Sequence, residues 1–172
     1  MIIEHALQLL PNDVAHCDFS FEVTAELVAP YDDPALVRPV AAYCKAYGFD
    51  AEQFVNIGPD QVLIVAKEAG RVCGYLLASE GWNRYGLVDD FAVDRPCRGA
   101  GLAAQLMSHA TTWAKARGLP GLRLETQANN VAACRFYRRQ GFELGGFDRY
   151  FYGALNPSRE ETALFWYLRF GK

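Results

Sequence analysis

The run from Tyr85 to Ala114, YGLVDDFAVDRPCRGAGLAAQLMSHATTWA, limits what this chain can fold into more than any other part of it. It opens as a strand over Gly86 to Val93, passes through Arg98-Gly99-Ala100-Gly101 and continues as an amphipathic helix. Leu102, Leu106, Ala110, Trp113 and Ala114 recur there at the helical spacing, with Gln105, Ser108, Thr112 and Lys115 on the other face. A strand, a glycine turn and a helix make an anion site. The first turn of a helix carries unpaired N–H groups and a partial positive charge, and glycines let phosphates approach that backbone closely. The expected ligand is a phosphate-bearing cofactor.

With 172 residues, 51% of them hydrophobic and 22% charged, the chain is expected to form one globular domain over residues 1–172. A formal net charge of −3 argues against a nucleic-acid binder, because that affinity comes from Lys and Arg neutralising phosphates. Cys17, Cys44, Cys73, Cys97 and Cys134 are scattered and never at CxxC spacing, which indicates neither a disulfide framework nor a metal site. The start MIIEHALQLLPND has no basic region ahead of a long apolar core, and no run approaches the length of a membrane span. A cytoplasmic protein without a membrane partner is expected.

In chain order, Ile2 to Leu10 reads as a short strand or helical turn ended by Pro11, and Phe19 to Val28 as a strand ended by Pro30. Ala35 to Tyr47 reads as one or two helical turns interrupted by Pro39, and Gly58-Pro59-Asp60 as a turn. Gln61–Lys67 and Arg71–Ala78 form a hairpin around Glu68-Ala69-Gly70, followed by Gly86–Val93. Gly118 stops the following helix, and Leu122–Thr126 is the next strand. Asn129 or Asn130 caps a helix that reaches about Gln140. Two strand candidates, Phe142–Tyr152 and Thr162–Phe170, close the chain around the polar turn Asn156-Pro157-Ser158-Arg159. This order predicts an α/β fold with a mixed sheet.

The glycine turn formally satisfies GxGxxA, with Glu125 ending the next strand where a dinucleotide fold would place its ribose-binding acid. Five residues separate Val93 from Gly99, however, and too little chain follows for the second half of such a fold. Val93-Asp94-Arg95-Pro96-Cys97-Arg98-Gly99-Ala100-Gly101, followed by Asn130-x-x-Ala133-x-x-Phe136-Tyr137 and Gly141-Phe142, resembles the GNAT acyl-CoA N-acyltransferases. Within that family the chain resembles the streptothricin (nourseothricin) acetyltransferases. That closer likeness rests on Trp82-Asn83-Arg84, on Leu122-x-Leu124-Glu125-Thr126-Gln127-x-Asn129-Asn130, on Gly145-Gly146-x-Asp148 and on Phe165-Trp166-Tyr167.

The resemblance implies the GNAT fold, a mixed and largely antiparallel central sheet flanked by helices, and acetyl-CoA as cofactor. Its pyrophosphate would lie on the amides of Arg98, Gly99, Ala100, Gly101, Leu102 and Ala103, and its pantetheine arm along the main chain of Phe91, Ala92 and Val93. Asn130 and Tyr137 would also touch it. Arg98 would neutralise phosphate unless it is a solvated loop arginine, and Asn130 doubles as an N-cap.

Direct attack of an amine on a thioester needs a base and an acid. Asp90, then Glu125, are the candidates for base or for binder of the substrate ammonium, each also readable as a strand-end acid paired with a basic neighbour such as Arg84 or Arg123, and strand alternation would set Asp89 and Asp90 on opposite faces. The resemblance implies Tyr137 as the acid for the departing thiolate; its other reading is an aromatic packed under the sheet. Trp82, Asp89, Asp90 and Glu125 are the substrate-binding candidates. Between the first and second strands those relatives carry a run of acids, and Tyr31 to Asp60 has no such run. The acceptor is therefore set as a small-molecule primary amine, with streptothricin's lysine-type group leading and a protein N-terminus, a lysine or a polyamine as alternatives. A non-catalytic acyl-CoA sensor is the reading from another class, and the protein is expected to be a monomer or homodimer.

Overall fold

The computed structural model describes residues 1–155, 157 and 160–171. Its elements are β1 (Ile2–Ala6), α1 (Pro11–Val14), β2 (Phe21–Leu27), β3 (Val37–Lys45), β4 (Gln61–Glu68), β5 (Arg71–Glu80), β6 (Gly86–Val93), α2 (Leu102–Ala116), β7 (Gly121–Gln127), α3 (Val131–Arg139), β8 (Glu143–Asp148) and β9 (Ala163–Arg169). The chain divides into two compact units, residues 1–21 with 46–122, and residues 22–45 with 123–172.

In the first unit β1, β4, β5 and β6 lie in that order, each antiparallel to the next. Val62 to Ala66 and Val72 to Ala78 are buried without a break, because β4 and β5 are covered on both faces. On one face Leu63, Val65, Tyr75 and Leu77 join Leu9, Val14 and Phe54 in a core cluster. On the other, α2 buries Leu102, Leu106, Met107, Ala110 and Ala114 against β4, β5 and β6. The expected hairpin is present, with Ala69 (φ 48°) and Gly70 (φ 79°) both left-handed as a type I′ turn requires. The stop at Gly118 is also present. Its N–H bonds the Lys115 carbonyl and the Leu119 N–H bonds the Ala114 carbonyl, a Schellman closure with Gly118 at φ 69°.

Gly74 lies where β5, β6 and α2 come close together. A Cβ there would sit 2.9 Å from the Ala92 carbonyl oxygen and 3.3 Å from Leu106 Cδ1. Because a backbone oxygen cannot swing away, Gly74→Ala is expected to destabilise the protein by about 1–3 kcal/mol. A thermal melt reads this directly; an unchanged midpoint would refute the close approach.

In the second unit β2 and β3 form a two-stranded sheet, and β7, β9 and β8 lie in that order, with β8 antiparallel to β9. Trp166 on β9 is fully buried. The helical turns expected over Ala35 to Tyr47 are instead strand β3. Val37, Val40, Tyr43 and Lys45 are its partly buried positions, and Arg38 forms an ion pair with Glu26 of β2. Pro39 is exposed, and in a two-stranded sheet each strand is an edge, so its missing N–H leaves no ladder position empty.

At the N-terminus the strand ends at Ala6, and Pro11 starts a helix rather than ending an element. Its fixed φ suits the first helical position, and the Leu10 N–H donates to Asp13 Oδ2 at 2.8 Å. The strand expected over Phe142–Tyr152 stops at Asp148. Of the expected turn Asn156-Pro157-Ser158-Arg159, Asn156, Ser158 and Arg159 lie outside the described residues.

Candidate active site

In the first unit the site grows from the end of β6. The β5–β6 register passes from Leu77–Asp90 to Ala78–Val88, so Asp89 is an extra residue and the strict alternation expected for Asp89 and Asp90 is interrupted. Asp90 pairs across from Leu77, two residues from Tyr75, and the Tyr75 hydroxyl donates to Asp90 Oδ2 at 3.3 Å. Burial raises the Asp90 pKa. The Phe91 N–H and the Tyr75 hydroxyl pull it down, while Asp89 and Asp50 push it further up. Burial, then the Asp90 charge, raises Tyr75 as well.

Phe91 and Ala92 continue the strand to Val93, and Asp94 then turns the chain, its N–H donating to the Cys73 carbonyl at 2.8 Å. Arg98 reaches back, Nε to the Val93 carbonyl at 2.9 Å and Nη1 to the Ser20 carbonyl at 2.7 Å. It ties the loop to its own strand, a role the sequence did not show. Gly99 (φ 85°) and Gly101 (φ 81°) are both left-handed. Gly101 is the N-cap of α2 and has no side chain with which to cap it. The first-turn N–H groups, Leu102 and Ala103 among them, are therefore presented to an anion rather than to a side chain. Trp82 stands at a turn between β5 and β6 and is 91% exposed.

In the second unit Glu125 lies on β7, and burial raises its pKa to about 7 against the opposing pull of Lys45. The residue is nevertheless exposed by surface area, so its carboxyl is crowded by protein without being sealed from water. Around Lys45 is a polar network. Lys45 Nζ donates to Gln127 Oε1 and, at 2.7 Å, to Glu161 Oε1; Asn129 Nδ2 donates to Glu161 Oε1 and to the Tyr43 hydroxyl, both at 3.1 Å. Lys45, Tyr43, Gln127, Asn129 and Glu161 were not expected as site residues. A signal was present in the alternation Glu125-x-Gln127-x-Asn129, polar at every second position along a strand and its extension. A cavity of about 580 Å³ opens beside this network, lined among others by Glu26, Tyr31, Asn129, Tyr150 and Glu161.

Asn130 caps α3, its side-chain oxygen accepting the Ala133 N–H at 3.2 Å. Two turns further along, Tyr137 is buried at 7% exposure, its ring centroid 5.5 Å from that of Phe136 and 5.7 Å from that of Phe142. The first unit thus holds Asp90 and the glycine loop, and the second holds Glu125 on β7 with Asn130 and Tyr137 on the cap and body of α3. Among the described residues no helix is long and apolar enough to cross a membrane.

A strand that runs through a double-glycine loop into an uncapped helix, with titratable acids on its strands, defines an α/β anion-binding enzyme site. Residues 23–142 match the model of the Acetyltransferase (GNAT) family, and the chain belongs to that family. Its fold class is the expected one, an α/β fold with a mixed, largely antiparallel sheet flanked by helices.

The chain is 40% identical to a streptothricin acetyltransferase of Escherichia coli over 130 residues, 76% of this chain and 72% of the relative. It is 38% identical to streptothricin acetyltransferase A of Bacillus subtilis over 97 residues, which is 56% of this chain and 56% of the relative. It is also similar to the crystal structure of a candidate streptothricin acetyltransferase of Bacillus anthracis in complex with acetyl coenzyme A. That likeness has a TM-score of 0.83 at 34% identity and covers 98% of this chain and 99% of that one.

Proposed function

We propose that the protein acetylates a primary amine at the expense of acetyl-CoA, with the lysine-type amine of a streptothricin-like antibiotic as acceptor. The family supplies the reaction type and the relatives' names supply the acceptor. The observation that carries the chemistry is Glu125, a crowded carboxyl with a pKa of about 7.

The residues present fit the cofactor. The left-handed Gly99 and Gly101 and the uncapped start of α2 form a backbone cradle for its pyrophosphate, over Arg98 to Ala103. The main chain of Phe91, Ala92 and Val93 would hold its pantetheine arm, and Asn130 would supply a further polar contact to it. Acetyl-CoA, when bound, supplies a thioester whose acyl carbon an amine can attack.

A lysine-like amine has a pKa of about 10.4, so freeing it at neutral pH costs roughly 3 pK units, about 4 kcal/mol. Glu125 takes that proton: an acid titrating near 7 is ionised often enough to accept it and basic enough to hold it. Asp90 and Asp89 would hold the ammonium before transfer, and the Tyr137 hydroxyl would donate a hydrogen bond to the sulfur as the carbon–sulfur bond breaks. The network around Lys45 and the adjoining cavity would receive the polar remainder of the acceptor.

The test is CoA release from acetyl-CoA across streptothricin, lysine, spermidine and an N-terminal peptide. Streptothricin is expected to give the highest kcat/KM. Release with the peptide above all others would overturn the acceptor, and no release above background hydrolysis with any amine would overturn the reaction.

A further inference from the structure

We propose that His16, Cys17 and Asp94 form a zinc(II) site that fastens the segment before β2 to the start of the glycine loop. In the first unit an imidazole nitrogen, the Cys17 sulfur and an Asp94 carboxylate oxygen all lie within 4.8 Å of one another. Cys17 Sγ and His16 Nε2 are 3.5 Å apart. Zinc bonds of about 2.3 Å to sulfur and about 2.0 Å to nitrogen, at a tetrahedral angle, set those two atoms roughly 3.5 Å apart. One edge of the coordination polyhedron is therefore already formed.

The donor set selects the metal. A thiolate, an imidazole and a single carboxylate suit zinc, whereas calcium and magnesium take oxygen ligands. Three protein ligands leave the fourth tetrahedral position for water. His16 is exposed, giving the ion an entry path, while Asp94 is buried. Asp94 Oδ1 accepts the Asp18 N–H at 2.7 Å, a second contact that orients the carboxylate.

His16 Nε2 and Cys17 Sγ both lean on the Val72 carbonyl, at 3.0 and 3.4 Å, and would exchange those hydrogen bonds for metal bonds. The Cys17 thiol lies within electrostatic reach of Cys73, which is hydrogen-bonded to Cys97, so the surroundings are rich in sulfur. The spacing of the cysteines along the chain hides this group, because residues 16 and 17 meet residue 94 only in the fold. Since the Arg95 N–H donates to the Asp18 carbonyl at 2.8 Å, an ion held here braces the residues that lead into the cradle.

The test uses the full chain with the exposed Cys44 replaced by serine, stripped of metal and then titrated with zinc against a chromogenic chelator, and separately with cobalt(II). One ion per chain is expected, with a thiolate-to-cobalt charge-transfer band, the visible spectrum of a four-coordinate site and a zinc-dependent rise in Tm. Cys17→Ser should abolish the charge-transfer band, and His16→Gln and Asp94→Asn should each weaken zinc binding by about tenfold or more. Asn at 94 keeps an acceptor for the Asp18 N–H, and a cooperative melt without metal shows that each variant folds. Zinc too weak to compete with the chelator in the parent chain would overturn the site. So would a charge-transfer band that survives Cys17→Ser.

Discussion

A Glu125→Gln enzyme is expected to keep its affinity for acetyl-CoA and to lose about 10²- to 10³-fold in kcat/KM for the amine, the usual contribution of a general base. Glutamine keeps the size and loses only the ability to take a proton. The pH dependence separates this role from a structural one. With a pKa of about 7, Glu125 is protonated and inactive below that pH and ionised above it. The parent enzyme's kcat/KM should therefore fall about tenfold per unit as pH drops below about 7, and this limb should vanish in the variant.

Stability runs the other way. The folded pKa lies above the ordinary carboxyl value of 4.5, so the folded state holds the proton more tightly than the unfolded one. The contribution of this group is full below about pH 4.5 and is lost as pH rises through about 7. The glutamine variant, which cannot ionise, should thus be at least as stable as the parent at pH 8. A parent-like acid limb surviving in Glu125→Gln would move the base to Asp90.

What the sequence made legible was local. The strands β4, β5 and β6, the I′ turn at Ala69-Gly70, helix α2 with its Gly118 stop, and α3 with its Asn130 cap each follow from periodicity and punctuation within a few residues. Strand β3 was not legible. Val37 to Lys45 carries a proline and no clean alternation, and it is extended because β2 offers it a partner.

The shift at Leu77–Ala78 was equally hidden, since an extra residue in a strand leaves no mark on the hydrophobic pattern of its own chain. The glycine cradle could be read because Gly99 and Gly101 lie together in sequence. The network of Lys45, Gln127, Asn129 and Glu161 could not, because its members come from three separated segments. The same holds for His16 and Cys17 with Asp94. Carboxyl pKa values were out of reach for a related reason: burial is set by what packs around Asp90 and Glu125, and the chain order does not state it.

Tyr137→Phe is expected to lower kcat by about 10²-fold while leaving acetyl-CoA affinity and Tm close to those of the parent. The ring is almost fully buried and packs edgewise or tilted against Phe136 and Phe142, contacts that phenylalanine retains. Only the phenol oxygen is removed. A phenol of pKa about 10 facing a thiolate of pKa about 8.5 is the weaker acid, so it assists by donating as the carbon–sulfur bond breaks rather than by holding a proton for the free thiolate. Its value should therefore depend on how much help the leaving sulfur needs. With an acyl donor whose thiol is more acidic than that of CoA, the deficit of Tyr137→Phe should shrink. A deficit that is the same for both donors would make the hydroxyl a packing or positioning group, and a variant with unchanged kcat would remove Tyr137 from the chemistry.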